Sequence, residues 1–294
     1  MQFRPIEIAD RALVSRYQKE RDYPGNQFSF GTLFIWRKIY STAICEEDGF
    51  LFVRQGQPGA YSYLCPLGGD FREAVDRLRA QAARDGQPLR ILSLPPEEKE
   101  KILALYPEEE VSVSANRDLF DYLYERERLR TLAGRRLQPK RNYLNRIRKK
   151  NWSYEPITAD NLDECFAMQK LWCAEHNRCA EESVRAESCA VRQAFSHFQE
   201  LGFAGGCIRL DGKIIGYTMG EPLNSDTFVV HIEKAFSGIE GAYPLINQQF
   251  VEHAMEGFAY VNREDDAGSE GLRKAKLSYD PCRLLENYRA QFRA

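Results

Sequence analysis

Tyr154-Glu155-Pro156-Ile157-Thr158-Ala159-Asp160 stands halfway along the chain and repeats the pattern of Phe3-Arg4-Pro5-Ile6-Glu7-Ile8-Ala9-Asp10 near its start. Each reads as a short extended run holding a proline, then a turn with a helix-capping aspartate. An amphipathic segment follows each, Arg11 to Tyr17 in the first copy and Leu162, Cys165, Phe166 and Gln169 in the second. Pro5 and Pro156 lie 151 residues apart.

The match continues outward. Gly49-Phe50-Leu51-Phe52-Val53-Arg54 and Gly202-Phe203-Ala204-Gly205-Gly206-Cys207, 153 residues apart, are each expected to open a β-hairpin. The second turns at Asp211-Gly212 between Ile208 and Ile214-Ile215, a strong two-residue turn signal. The first is expected to turn through Gln55-Gly56-Gln57-Pro58-Gly59. Each half then has a helix, a short apolar strand (Leu89-Arg90-Ile91-Leu92; Phe258-Ala259-Tyr260-Val261) and a charged helix. The expected fold class is α+β: two domains of one ancestry, each a mixed central sheet flanked by helices. Their expected bounds are 1–133 and 134–294.

Composition agrees with two ordinary cores. In 294 residues, 43% are hydrophobic and 12% aromatic, which excludes a disordered chain and supports domains of roughly 150 residues. No apolar run approaches the ~18 residues of a membrane span. Met1-Gln2-Phe3-Arg4-Pro5 lacks the apolar centre of a secretory signal. A cytoplasmic protein without a transmembrane segment is expected, and nothing in the sequence points to an oligomeric state.

The formal charge of -2 hides a segregated distribution. Arg126 to Lys150 holds eleven Lys/Arg against Glu127 alone, a net of +10, so the rest of the chain sums to -12. A uniformly basic nucleic-acid protein is excluded; a local basic docking element is not. Pro139 suits the first turn of a helix running to about Lys150, with Leu144 and Ile147 as its apolar contacts. Lys140 and Arg141 then stand in the first turn, where positive charge is locally unfavourable. With Tyr143, which can stack on an unpaired base, they are the candidates for nucleic-acid or anion contact. A solvated basic face is the reading for most of the eleven.

Eight cysteines are too dilute for a disulfide scaffold. Cys173, His176, Cys179 and Cys189 have metal-like spacing. Cys165 and Cys173, however, recur at helical spacing with apolar neighbours, which reads as core packing, and no metal centre is expected.

The element order resembles a GNAT-type N-acyltransferase domain, here in tandem. Lys140-Arg141-Asn142-Tyr143-Leu144-Asn145, Trp172-Cys173, Asn262-Arg263-Glu264-Asp265-Asp266, Gly271-Leu272-Arg273-Lys274-Ala275-Lys276 and Ser278-Tyr279-Asp280-Pro281 look like a soluble bacterial family. That family is similar to the C-terminal domain of phosphatidylglycerol lysyltransferase, and the likeness covers essentially the whole chain. It implies an acyl- or aminoacyltransferase with aminoacyl-tRNA as donor, as in the lysyltransferase relatives and the Fem-type peptidoglycan-bridge transferases. The implied acceptor is an amine or hydroxyl of a small molecule or lipid headgroup. Two other readings stand beside it, a non-catalytic GNAT-like protein that binds a small ligand and a CoA-dependent N-acetyltransferase. CoA-using GNAT enzymes cradle pyrophosphate on backbone N–H groups at a helix N-terminus. Here the equivalent loop is Gly238-Ile239-Glu240-Gly241-Ala242-Tyr243, with an acid where phosphate would sit, so acetyl-CoA is a doubtful cofactor.

Acyl transfer to an amine needs a neutral nucleophile, a stabilised oxyanion and orientation of both reactants. Thr227 to Phe236 is the expected central strand. Strict alternation puts Val229, His231, Glu233 and Ala235 on one face and Phe228, Val230 and Ile232 on the other. Glu233 is the first candidate for general base, with His231 second; an ion pair with a basic neighbour is the alternative. The next strand ends at Asn262 and releases Arg263-Glu264-Asp265-Asp266, where sheets of this kind place ligand-binding groups. Glu264 joins the catalytic candidates. Asn262 and Asp265 are candidates for binding substrate, and Asp266 for a helix N-terminal charge. Arg273 and Lys276 share a helix face and are candidates to meet a phosphate or carboxylate together, the alternative being ordinary complements to the helix dipole. The resemblance implies Lys276 as the functional member, with Tyr279 in the motif that follows. The first domain, whose equivalent strand ends in Pro66-Leu67-Gly68-Gly69, is expected to be a structural or acceptor-positioning copy.

Overall fold

The computed structural model describes residues 1–175 and 182–293. His176 and Cys179 lie outside the described residues. The chain divides into two compact units, residues 1–121 with 285–294 and residues 122–284.

The first unit runs β1 (Arg4–Pro5), α1 (Arg11–Arg21), α2 (Phe30–Ile35), α3 (Arg37–Tyr40), β2 (Ala43–Glu47), β3 (Phe50–Gln55) and β4 (Ser62–Leu64). It continues with α4 (Phe71–Arg84), β5 (Arg90–Leu94), α5 (Pro96–Leu105) and β6 (Val111–Ala115). The second begins with β7 (Asp121–Glu125), α6 (Arg126–Thr131), α7 (Gln138–Ile147), β8 (Trp152–Pro156) and α8 (Leu162–Glu175). Then come α9 (Glu182–Ser196), α10 (Phe198–Leu201), β9 (Ala204–Leu210), β10 (Lys213–Pro222) and β11 (Thr227–Ala235). It closes with α11 (Ala242–Ala254), β12 (Tyr260–Asn262), α12 (Glu270–Leu277) and β13 (Arg283–Leu285), before a last strand β14 (Tyr288–Phe292).

Each unit is α+β around a seven-stranded mixed sheet, as expected. The sheets have one topology: β1-β2-β3-β4-β5-β14-β6 in the first and β8-β9-β10-β11-β12-β7-β13 in the second. Pro5 on β1 and Pro156 on β8 occupy the same edge position, so the repeat is real. The sixth strand is where sequence and space diverge. β14 pairs with β5 and β6, whereas β7 pairs with β12. Each sheet is completed by the strand that follows the other unit's last strand in sequence. The expected division at 133/134 and the observed units differ for this reason: Leu123-Tyr124-Glu125 pairs with Tyr260-Val261-Asn262, which carries the segment after Asp121 into the second unit.

The first hairpin differs from its expected place. It turns at Asp48-Gly49, both at positive φ (52° and 80°), between β2 and β3. Asp211-Gly212 has the same conformation (51° and 79°) between β9 and β10. Phe50–Gln55 is thus the hairpin's second strand, and Gln55 to Gly59 leads on toward β4. Asp10 also departs from a simple cap: its carboxylate accepts from Arg4 and from the Glu7 N–H.

In the second unit β11 lies mid-sheet, antiparallel to β10 and parallel to β12. Its β-branched and aromatic residues suit a strand covered on both sides. α11 covers one face, where Leu245, Ile246 and Phe250 pack with Phe228, Val230 and Ala235 of β11. α8 covers the other, where the Tyr217 hydroxyl of β10 donates to Gln169. α7 begins one residue before Pro139 and buries Leu144 and Ile147 as expected. Pro244 stands in the first turn of α11, where its missing N–H leaves no helical bond unmade.

Candidate active site where two strands part

β11 and β12 are in register only from Thr227↔Tyr260 to Val229↔Asn262. The chain then leaves β11: the Arg263 N–H donates to the Tyr122 carbonyl, and the Tyr122 N–H to the Glu264 carbonyl. The main-chain ladder therefore opens between the C-terminal part of β11 and the loop after β12. Asn262 shapes its lip. The buried side-chain oxygen accepts from the Glu264 N–H at 2.7 Å, a turn that carries Glu264 to φ 57°.

A bulge corrects the expected alternation on β11. Met219 of β10 pairs with Ile232 and Gly220 with Val230, so His231 has no partner of its own. An extra residue in one strand reverses the facing of everything beyond it. His231 and Glu233, expected on one face, therefore fall on opposite faces. Glu233 shares the α11 face with Val230 and Ala235, while Lys234 on the other face stands 4.2 Å from the centre of the α8 Trp172 ring.

On the face away from α11, the fully buried His231 side chain lies between two carboxylates. Nδ1 is 2.8 Å from Glu264 Oε1 and Nε2 is 3.1 Å from Glu221 Oε1, with the Phe203 ring against it. Burial alone favours a neutral imidazole, but the bonds to Glu221 and Glu264 outweigh it and raise His231 to about 9. At neutral pH it is a cation with both ring nitrogens engaged, which suits holding Glu264 in place rather than accepting a proton. Asp265 follows on the loop. Burial, and then the Glu264 charge, raise it to about 6. Among the described residues only its Oδ1 is engaged, by the Ala267 N–H at 2.8 Å.

On the α11 face, Glu233 Oε1 accepts from Arg263 Nη2 at 2.7 Å and Oε2 from Asn247 Nδ2 at 2.9 Å. The ion-pair alternative for Glu233 is the arrangement found. Arg263 lies over the buried Tyr279 ring, 4.6 Å from its centre, and Lys140 Nζ lies 4.3 Å from the same centre. Burial, and then the Arg263 charge, lower the Lys140 ammonium from its usual range. Tyr279 is held by burial above an ordinary phenol.

The remaining candidates brace the loop. Arg273 binds Asp266 through Nε at 2.9 Å and Nη2 at 2.8 Å, and the Tyr122 hydroxyl donates to the same carboxylate at 2.6 Å. Burial opposes ionisation of Asp266, yet these bonds and the Gly268 N–H hold it at about 2. Asp266 is thus a buried tie, and Ser269 caps α12. Lys276 Nζ donates to the carbonyls of Arg263, at 2.6 Å, and Asp265. Arg273 and Lys276 share one side of α12 as expected, but they face the chain's own carboxylate and carbonyls.

Arg141 likewise turns inward, donating to the carbonyls of Leu132 and Gly134 beyond the end of α6 and to Gln138. The two candidate cations thus separate, with Arg141 committed to backbone and Lys140 set against Tyr279. Tyr143 lines a cleft beside Lys140. The backbone of this helix also meets the Gly238–Tyr243 loop. Gly241, at φ 89°, has the Tyr143 carbonyl so near that a Cβ would stand 2.8 Å from it, and Glu240 pairs with Arg146 at 3.4 Å. The Tyr243 hydroxyl is 3.3 Å from Trp172 Nε1, which donates to the Ala235 carbonyl at 3.0 Å.

Three residues of the site were not singled out by their sequence. Glu221, the one acid in Lys213–Pro222, and Arg263, a cation opening an acidic run, each carry a local signal of buried pairing. Asn247 carries none, since Asn247-Gln248-Gln249 reads as a solvated helix face; Glu221 and Asn247 are buried, and the Arg263 side chain is 11% exposed. Among the described residues no group of three or more His, Cys, Asp or Glu is placed to hold a metal ion. No described helix is long and apolar enough to cross a membrane.

Comparison with known proteins follows this geometry. Residues 20–291 match the family model described as phosphatidylglycerol lysyltransferase, C-terminal. A solved protein of unknown function from Bacteroides thetaiotaomicron is 35% identical, with a TM-score of 0.95 and full coverage of both chains. The C-terminal domain of an inferred lysylphosphatidylglycerol synthetase from Agrobacterium fabrum is 14% identical with a TM-score of 0.69, covering 98% of this chain and 93% of that one. FemX is 11% identical with a TM-score of 0.63, covering 98% and 97%. An uncharacterised protein of Mycoplasmoides gallisepticum is 27% identical over 175 residues, 57% of this chain. The chain spans about half that curated relative, 54% of its length. The fold is that of tandem GNAT-like acyltransferases.

Proposed function

Because the chain belongs to the phosphatidylglycerol lysyltransferase C-terminal family, we propose that it transfers an aminoacyl group from aminoacyl-tRNA to an amine or hydroxyl acceptor. The reaction is assigned to the opening between β11 and β12. One observation carries the assignment: the loop released there presents Glu264, fixed by His231, beside Asp265, a carboxyl that burial and the Glu264 charge raise to about 6. Glu264 suits the α-ammonium of an aminoacyl ester. Asp265 suits the general base that takes a proton from the attacking group. Glu233, Asn262, Arg273 and Lys276 are positioning residues in this reading, since their polar atoms fix the loop after β12 in place.

The tRNA donor is supported by the loop before α11, where Glu240, the close approach of α7 to Gly241 and the Tyr243–Trp172 contact leave little resembling a pyrophosphate cradle. The exposed cations Lys149 and Lys150 suit the tRNA backbone better than Lys140 and Arg141, which turn inward, or Arg148, which donates to Gln248. Single-turnover transfer from charged tRNA tests the reading. Asp265→Asn is expected to slow transfer about a hundredfold to ten-thousandfold with tRNA binding retained. An unchanged rate removes Asp265 from the mechanism.

A further inference from the structure

A cleft of about 470 Å³ lies at the start of α7 and the end of α12, lined in part by Lys140, Tyr143, Leu277 and Ser278. Its other charged wall is neutralised internally: Arg136 and Arg128 both bind Asp280, at 2.6 Å and 2.5 Å. Lys140 is different. Its ammonium makes no hydrogen bond or ion pair among the described residues and rests only on the Tyr279 ring.

A second unsatisfied donor lies against that ring. Arg263 gives Nη2 to Glu233, but its Nη1 is buried with no hydrogen-bond partner. Two cations thus meet one buried phenol, and the one carboxylate that reaches them is already shared with Asn247. The Arg263 donor is buried and empty, which costs free energy, while the half-buried Lys140 ammonium on the same ring faces the cleft without a partner of its own. Tyr143 and Leu277 give the cleft an apolar side able to cover the organic part of a ligand.

We propose that this cleft binds a single oxyanionic group, the phosphate or carboxylate of a small molecule, with Lys140, which lines it, as the direct donor. A nucleic-acid strand fits less well, because it asks for several exposed cations in a row. Here one half-buried ammonium stands among paired charges. Arg263, which binds Glu233, lies against the same Tyr279 ring as Lys140, so a ligand in the cleft sits near the site assigned to transfer without depending on that assignment.

Calorimetric titration of the whole protein with inorganic phosphate and with acetate tests the proposal, alongside NMR titration of the Lys140 side chain. One ion is expected to bind per chain, to raise the Lys140 titration midpoint, and to bind about tenfold to a hundredfold more weakly to Lys140→Met, the loss of one charge-assisted hydrogen bond. Lys140→Arg is expected to stay within a few-fold of the wild type, which separates loss of charge from loss of fold. Phosphate binding much tighter than acetate identifies a phosphate ester as the ligand class; near-equal binding identifies a carboxylate. Absence of saturable binding by either ion overturns the proposal, as does binding that Lys140→Met leaves unchanged. So does a Lys140→Met protein that loses affinity for tRNA while keeping it for both ions. None of these outcomes requires transferase activity, so failure here leaves the transferase reading standing.

Discussion

Glu233 and Arg263 meet across the opening between β11 and β12, Oε1 to Nη2 at 2.7 Å, with only 10% and 11% of their side chains exposed. A pair this dry is costly to break, because either partner alone is a buried uncompensated charge. Arg263→Met is expected to lower unfolding free energy by about 3–5 kcal/mol in urea denaturation. The Glu233→Gln/Arg263→Met double variant is expected to lose less than Arg263→Met alone, since no carboxylate is then stranded.

His231 sets a pH limit. Its folded value of about 9 lies above the ~6.5 of a free imidazole, so its contribution is fully present below about 6.5. That contribution is lost as pH rises through 9. Urea midpoints between pH 6 and pH 10 are expected to fall across this window, and His231→Gln is expected to flatten the fall.

Asp265 runs the other way from most carboxylates. Its value of about 6, against ~3.9 in a free chain, means that ionising it works against the fold, so its contribution declines as pH rises from about 4 through 6. The Lys276 charge holds Asp265 down against the burial and Glu264 that push it up. Lys276→Met is therefore expected to move the Asp265 midpoint above 6, as read by carboxyl NMR titration.

The strand exchange makes a distant cut informative. Deleting Tyr288 to Phe292 takes out the strand between β5 and β6 and leaves both with unpaired edges. Hydrogen exchange is expected to show lost protection in Arg90–Leu94 and Val111–Ala115, while β9 to β11 keep theirs.

Periodicity and turn chemistry made much of this legible. The paired prolines found the two edge strands, Asp211-Gly212 found a hairpin, and Pro139 with Leu144 and Ile147 found α7. The β14 and β7 pairings were not legible, because they join segments far apart in sequence and leave no local pattern. The His231 bulge was equally silent, and strict alternation put His231 and Glu233 together when one extra residue separates them. Arg273 and Lys276 were placed correctly on their helix, but a loop holding Glu264 and Ala267 at positive φ needs partners for its own polar groups, and these two cations supply them. Sequence shows which groups are charged. It does not show which charges the fold spends on itself.

The most direct test of aminoacyl transfer at this opening is equilibrium binding of aminoacyl-tRNA and of acetyl-CoA to the purified protein over a range of salt. The account predicts saturable tRNA binding that weakens as salt rises, reduced in Lys149→Ala/Lys150→Ala, and no acetyl-CoA binding at micromolar concentration. Micromolar acetyl-CoA binding with no salt-dependent tRNA binding would contradict it.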